Sequence, residues 1–168
     1  MKYLLLFALM PLSVFAQHKV DKTSTITIEG LVSQQLVFNY NAIKSFPQVA
    51  LGDIAIKNHK GDEKNISKAV KGTLLKILID SAGITTAKPK GLSEVFIVLI
   101  AADGYKNVYS WNEIFNTDIG NHLFVITEKD GETMDNFRES ILVFSASDFN
   151  SGRRYLRGLE RISVRKVE

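Results

Sequence analysis

Residues 95–102 read Val-Phe-Ile-Val-Leu-Ile-Ala-Ala, an unbroken apolar run rich in β-branched side chains and closed by Asp103-Gly104. A run this short, without helical or alternating period and bounded by a turn signal, predicts a strand covered on both faces. Asp103-Gly104 favours a tight reversal, so residues 105–109 are expected to return as its partner strand. The chain contains no cysteine, so no disulfide can hold such a strand in place and the core must do so alone. Residues 17–168 are enough for one domain, which at this size buries roughly two-thirds of its unfolded surface.

The remaining pattern is mixed α+β, a single β-sheet-rich domain with short inserted helices. Alternation in Thr25-Ile26-Thr27-Ile28-Glu29-Gly30-Leu31-Val32 predicts a half-buried strand ending at a glycine. Residues 37–46, stopped by Pro47, read as a short helix that turns Ile43 and Phe46 inward. Residues 49–57 read as extended, and residues 58–65 as a polar loop. A core helix is expected next, with Thr73 as N-cap, Leu74, Leu75, Ile77, Leu78, Ile79 and Ala82 on its apolar face, and Gly83 ending it. Ser110-Trp111-Asn112-Glu113 fits a capping box, in which serine and glutamate satisfy free amides at a helix start, with Trp111 anchoring that helix. Strands are expected over residues 122–128, 141–145 and 160–167, the last charged on one side.

The first sixteen residues place one lysine, Lys2, ahead of an apolar stretch broken only by Pro11 and Ser13 and closing on Val14-Phe15-Ala16. That stretch is short for a bilayer and ends in small side chains, so residues 1–16 are expected to be a cleaved signal peptide, with an uncleaved anchor as the alternative. The product is then exported, periplasmic or secreted. No second long apolar segment follows, and no membrane association is expected after cleavage. The formal charge is only +3, with much of the excess at Arg153, Arg154, Arg157, Arg161, Arg165 and Lys166. A nucleic-acid reader would add stacking aromatics or a groove-reading helix to such a patch, and neither is present in the pattern.

Several motifs, in order, carry a resemblance. They are Ile26-Thr27-Ile28-Glu29-Gly30, Phe46-Pro47, Gly72-Thr73-Leu74-Leu75, Ala82-Gly83-Ile84, Asp103-Gly104-Tyr105, Ser110 with Glu113, and the tail Asp148-Phe149-Asn150-Ser151-Gly152-Arg153-Arg154-Tyr155-Leu156-Arg157-Gly158-Leu159-Glu160-Arg161-Ile162. From Ile26 to Val164 the chain resembles the sulfite-oxidase-type molybdopterin-binding domain family, most closely its short exported members. The resemblance implies that fold, and molybdopterin as the cofactor of the redox-active members. Those members hold molybdenum through a cysteine thiolate in a loop that here reads Lys57-Asn58-His59-Lys60. Thiolate is a strong, soft donor that amide and imidazole do not replace. A Gly-Pro-Leu-Arg run of the family is also replaced, by Glu139-Ser140-Ile141-Leu142.

What the resemblance leaves as cofactor- or ligand-binding positions is Asn58, His59, Asp103, Tyr105, Arg153, Arg154 and Arg157. An arginine fork grips phosphate or carboxylate bidentately, and Ser151-Gly152 lets backbone approach an anion; solvated or carboxylate-paired arginines are the commoner outcome. Asp103 as a turn aspartate and Tyr105 as a packed tyrosine are likewise the plainer readings. His18, His59 and His122 lack the spacing of metal ligands, and Asp62-Glu63 reads as solvated charge. No Gly-x-Ser-x-Gly or phosphate-cradling loop exists, so no catalytic or metal residue is assigned. The expectation is a binding or accessory module for a small anionic ligand or a protein partner, without protein-ligated molybdenum. The alternatives are an oxidoreductase that holds molybdopterin without a cysteine, and a structural interaction domain marked by an exposed apolar patch. Between enzyme and non-enzyme the residues leave the question open.

Overall fold

The computed structural model describes residues 22–168; the expected signal peptide lies outside the described residues. The apolar run forms β5 (Val95–Ala101), buried on both faces and paired with a strand on each side, as its composition requires. Its partners are β6 (Lys106–Ser110), reached through the Asp103-Gly104 turn, and β11 (Leu159–Lys166). The opening strand β1 (Thr25–Gly30) lies parallel to β11, and β2 (Leu36–Asn39) closes that edge, giving the order β2-β1-β11-β5-β6. The two ends of the described chain thus meet in one sheet.

A second sheet has the order β10-β9-β7-β4-β3. Its strands are β3 (Val49–Lys57), β4 (Glu63–Leu74), β7 (Leu123–Lys129), β9 (Leu142–Ser145) and β10 (Leu156–Arg157), with the two-residue β8 (Glu132–Thr133) paired to β7. One hydrophobic cluster joins Ile26, Ile162 and Leu99 of the first sheet to Leu123, Val125 and Val143 of the second. The same cluster takes in Leu75, Leu78 and Ile79 of α2 (Leu75–Ala82), so helix and sheets share one core, as the α+β pattern requires. No helix among the described residues is long and apolar enough to cross a membrane.

Three local expectations change. Residues 37–46 divide into β2 and α1 (Tyr40–Lys44), because the Asn39 side chain accepts from the Ala42 amide at 2.9 Å and starts the helix late. Ile43 is buried as expected, while Phe46 is half-buried, edge-on to Phe38 at 5.4 Å. Thr73 is not an N-cap: it belongs to β4, paired with Val125, and α2 begins after Leu74 without a side-chain cap. Pairing with β7 outcompetes the cap and leaves the Thr73 hydroxyl buried without a partner among the described residues. The loop at residues 58–65 is shorter than expected. The Asn58 side-chain oxygen accepts from the Lys60 and Asp62 amides, turning the chain within five residues, and β4 starts at Glu63.

The capping box forms as expected on α3 (Trp111–Phe115). Ser110 Oγ accepts from the Glu113 amide, and the Glu113 carboxylate accepts from the Ser110 amide at 2.7 Å. Trp111 stacks on Phe115 with ring centres 5.5 Å apart, the anchoring role its position suggested.

Candidate functional site

The tail between β9 and β10 is where the segments singled out in the sequence meet. Ser151 is buried; its hydroxyl accepts from the Lys57 amide at 3.2 Å and donates to the Ala55 carbonyl at 3.3 Å, tying the tail to the end of β3. Gly152 follows because nothing larger fits: a Cβ there would sit 2.6 Å from the Lys57 carbonyl oxygen. Asn150, with its amide nitrogen turned toward acceptors, donates to the Asn58 carbonyl at 3.3 Å. From the turn ahead of β6 the Tyr105 hydroxyl donates to the Arg153 carbonyl at 2.6 Å, and from β6 itself Asn107 donates to the Arg154 carbonyl at 3.1 Å. A one-turn 3-10 segment, Ser151–Arg153, is therefore held by both sheets.

Each expected site residue now has a place. Asn58 shapes its own turn and touches the tail through its carbonyl. Asp103 accepts from the Tyr105 amide at 2.9 Å, the role of a turn aspartate, and Tyr105 positions Arg153 through backbone. His59 is exposed and makes no hydrogen bond among the described residues. Arg157 lies on the edge strand β10, its guanidinium 5.9 Å from the Tyr155 ring centre, and lines neither concavity described below. Asn58, Tyr105, Arg153 and Arg154 are brought together; His59 and Arg157 are not part of that set.

Two open concavities flank the tail. The larger, about 570 Å³, is walled by Ile119, Phe149, Asn150, Arg153 and the Asp148–Arg154 pair. The smaller, about 450 Å³, has Lys57, Phe144, Ser147 and Ser151 in its wall. Phe149 and Asp148 belong to both. Asp148, Phe149, Lys57 and Ile119 were not assigned as binding residues from the sequence, although one phenylalanine in a run of Ser, Asp, Asn and Gly, with no large apolar residue two, three or four positions away, is a legible signal of an exposed ring.

The two adjacent arginines differ in kind. Arg154 forks onto Asp148, with Nε 2.7 Å from Oδ2 and Nη2 on Oδ1, and has Glu113 3.6 Å away. Its guanidinium lies over the Tyr109 ring at 4.6 Å. Hydrogen bonding to Asp148 holds Arg154 more firmly protonated than usual, and Ser145 donates to the same carboxylate at 2.9 Å. That fork is satisfied internally. Arg153 is exposed, and no carboxylate among the described residues comes within 4 Å of it.

Burial raises the Tyr109 and Tyr155 phenols, Tyr155 to about 12. Because the folded-state values lie above those of the unfolded chain, the contribution to stability is complete below about pH 10 and is lost as pH rises toward 12. An alkaline titration is expected to show their phenolate absorbance rising together with loss of far-ultraviolet circular dichroism. Tyr155→Phe should remove about 2 kcal/mol of that pH dependence. Phenolate formation at Tyr155 well before unfolding would contradict its burial.

The residues present do not fit protein-ligated molybdenum. No sulfur donor occupies the segment after β3, where Asn58 is folded back on its own turn, and the fork of Arg154 is taken by Asp148. Among the described residues, no three His, Asp or Glu side chains cluster as a metal-binding set. No protein-family model matches the chain, and no curated protein matches it. Among solved structures the fold is similar to that of the sulfane dehydrogenase SoxCD from Paracoccus pantotrophus, with a TM-score of 0.63 and 15% identity. The match covers 89% of this chain and 41% of that one, so this chain spans less than half the length of its structural neighbour. At that identity the likeness shows a distant relationship of fold.

Proposed function

We propose that this chain is an exported binding module, which takes a small anion in the larger concavity with Arg153 supplying the charge. The observation that carries the reading is the contrast between the two arginines: Arg154 is neutralised by Asp148, whereas Arg153 lines the same wall with no carboxylate within 4 Å among the described residues. Its backbone is set by the Tyr105 hydroxyl, so its side chain starts from a fixed point and less ordering is lost on binding. Lys57 in the neighbouring concavity adds a second positive charge without a carboxylate among the described residues within 4 Å. The resemblance to molybdopterin-binding domains supports a ligand-binding ancestry for this face, and the missing thiolate argues that the metal is not what it now holds.

Titration with inorganic phosphate at low ionic strength, followed by heteronuclear NMR, tests the reading. Shifts are expected to be confined to the amides of residues 147–154, with affinity on the order of millimolar for an exposed single arginine. Arg153→Ala should weaken binding by about tenfold, the loss of one charge-assisted bidentate contact. Undiminished binding in that variant, or no binding by the wild type, would overturn the proposal. So would stoichiometric molybdenum in protein isolated from the cells that make it.

A further inference from the structure

Phe149 is 95% exposed, yet the segment that carries it is held at Ser151, Gly152, Arg153 and Arg154. Single exposed apolar side chains are ordinary on protein surfaces and need no explanation by themselves. This one stands where the two concavities meet and contributes wall to both. The lining of the larger concavity includes Ile119 as a second large apolar residue, and Arg153 and Asn150 as polar ones. A bare inorganic ion would leave the Phe149 and Ile119 surfaces wet and use only the polar end. A ligand that is apolar and flat at one end and anionic at the other would use both.

Resting on the anion-binding reading above, we propose that the ligand of this site is an aryl oxyanion, a single-ring carboxylate or phosphate. Its ring packs on Phe149 between that side chain and Ile119, and its charged end meets Arg153. Phe149 is then the specificity-determining residue. Ring-on-ring contact adds to area burial through offset or edge-on geometry, a gain that an aliphatic group of similar size does not reproduce. The fork of Arg154 is already closed on Asp148, so it does not compete for the charged end.

The experiment compares inorganic phosphate, methyl phosphate and phenyl phosphate against the full chain by NMR or calorimetry, in the wild type and in Phe149→Ala, Phe149→Leu and Arg153→Ala. Phenyl phosphate is expected to bind the wild type about tenfold more tightly than inorganic phosphate and several-fold more tightly than methyl phosphate. In Phe149→Ala the ratio between phenyl and inorganic phosphate should fall to about one, and in Phe149→Leu it should be intermediate. Because the ring is almost wholly exposed, the thermal midpoint of these variants should match the wild type, which separates loss of recognition from loss of fold. Equal affinity for phenyl and inorganic phosphate in the wild type, or a phenyl advantage that survives in Phe149→Ala, overturns the aryl assignment and leaves the anion site standing. Absence of binding by all three phosphates, or binding indifferent to Arg153→Ala, overturns both.

Discussion

Gly120→Ala is expected to yield little or no folded protein. Gly120 is buried in the 3-10 turn Asp118–His122, directly after α3, and a Cβ at that position would lie 1.7 Å from the Ile114 carbonyl oxygen and 2.6 Å from its carbonyl carbon. These are backbone atoms of the preceding helix, so no side-chain rotation relieves the clash; the turn must move away from α3. That movement would carry Ile119, a large apolar residue lining the larger concavity, and disturb the cover over Ile114 in the core. The cost is expected to exceed about 4 kcal/mol, a large fraction of the 5–15 kcal/mol that holds a typical domain. Gly131→Ala is the matching control. Gly131 has φ +80°, and a Cβ there would meet no neighbouring atom within 4 Å, so alanine meets only backbone strain, about 1 kcal/mol. Expression yield, circular dichroism and urea midpoints of the pair decide the matter. A Gly120→Ala protein with a midpoint close to that of Gly131→Ala would mean that α3 and the turn do not approach so closely.

The core was legible because its signals are local. The unbroken apolar run of β5 announces burial on both faces without knowledge of its neighbours, and the Ser110–Glu113 box fixes the start of α3 within four residues. Thr73 shows where local reading fails: its capping chemistry is sound in isolation, but four β4–β7 partners, Lys71↔Glu128 to Leu74↔Phe124, hold it in a strand. The parallel pairing of β1 with β11 joins segments more than a hundred residues apart, and no periodicity encodes it. The site divides along the same line. Tyr105 and the arginines stood out by type and by resemblance, whereas the difference between Arg153 and Arg154 depends on Asp148, which reaches one of them across a loop. Phe149 carries no charge and stands in a polar run, so its place in the site comes only from the two concavities it lines.

Arg154→Met is expected to cost about 2–4 kcal/mol, far more than an exposed ion pair would. Asp148 is only 11% exposed at its side chain and Arg154 26%, so removing the guanidinium strands a largely buried carboxylate with the Ser145 hydroxyl as its remaining strong donor. Glu113 loses its nearby cation but keeps the capping-box bonds to Ser110, which is why the damage should centre on the tail and not on α3. The Tyr109 ring also loses the cation above it. Asp148→Asn should cost less, since an amide still accepts from Arg154 through its oxygen and leaves a cation that can turn toward water. The decisive measurement is the double-mutant cycle in urea. The combined Asp148→Asn, Arg154→Met protein should be more stable than Arg154→Met alone, with a coupling of about 1.5–3 kcal/mol, because it no longer buries an unpaired charge. Additive losses would show that the fork is an ordinary surface pair, and the reason for treating Arg153 as the free cation of this site would go with it.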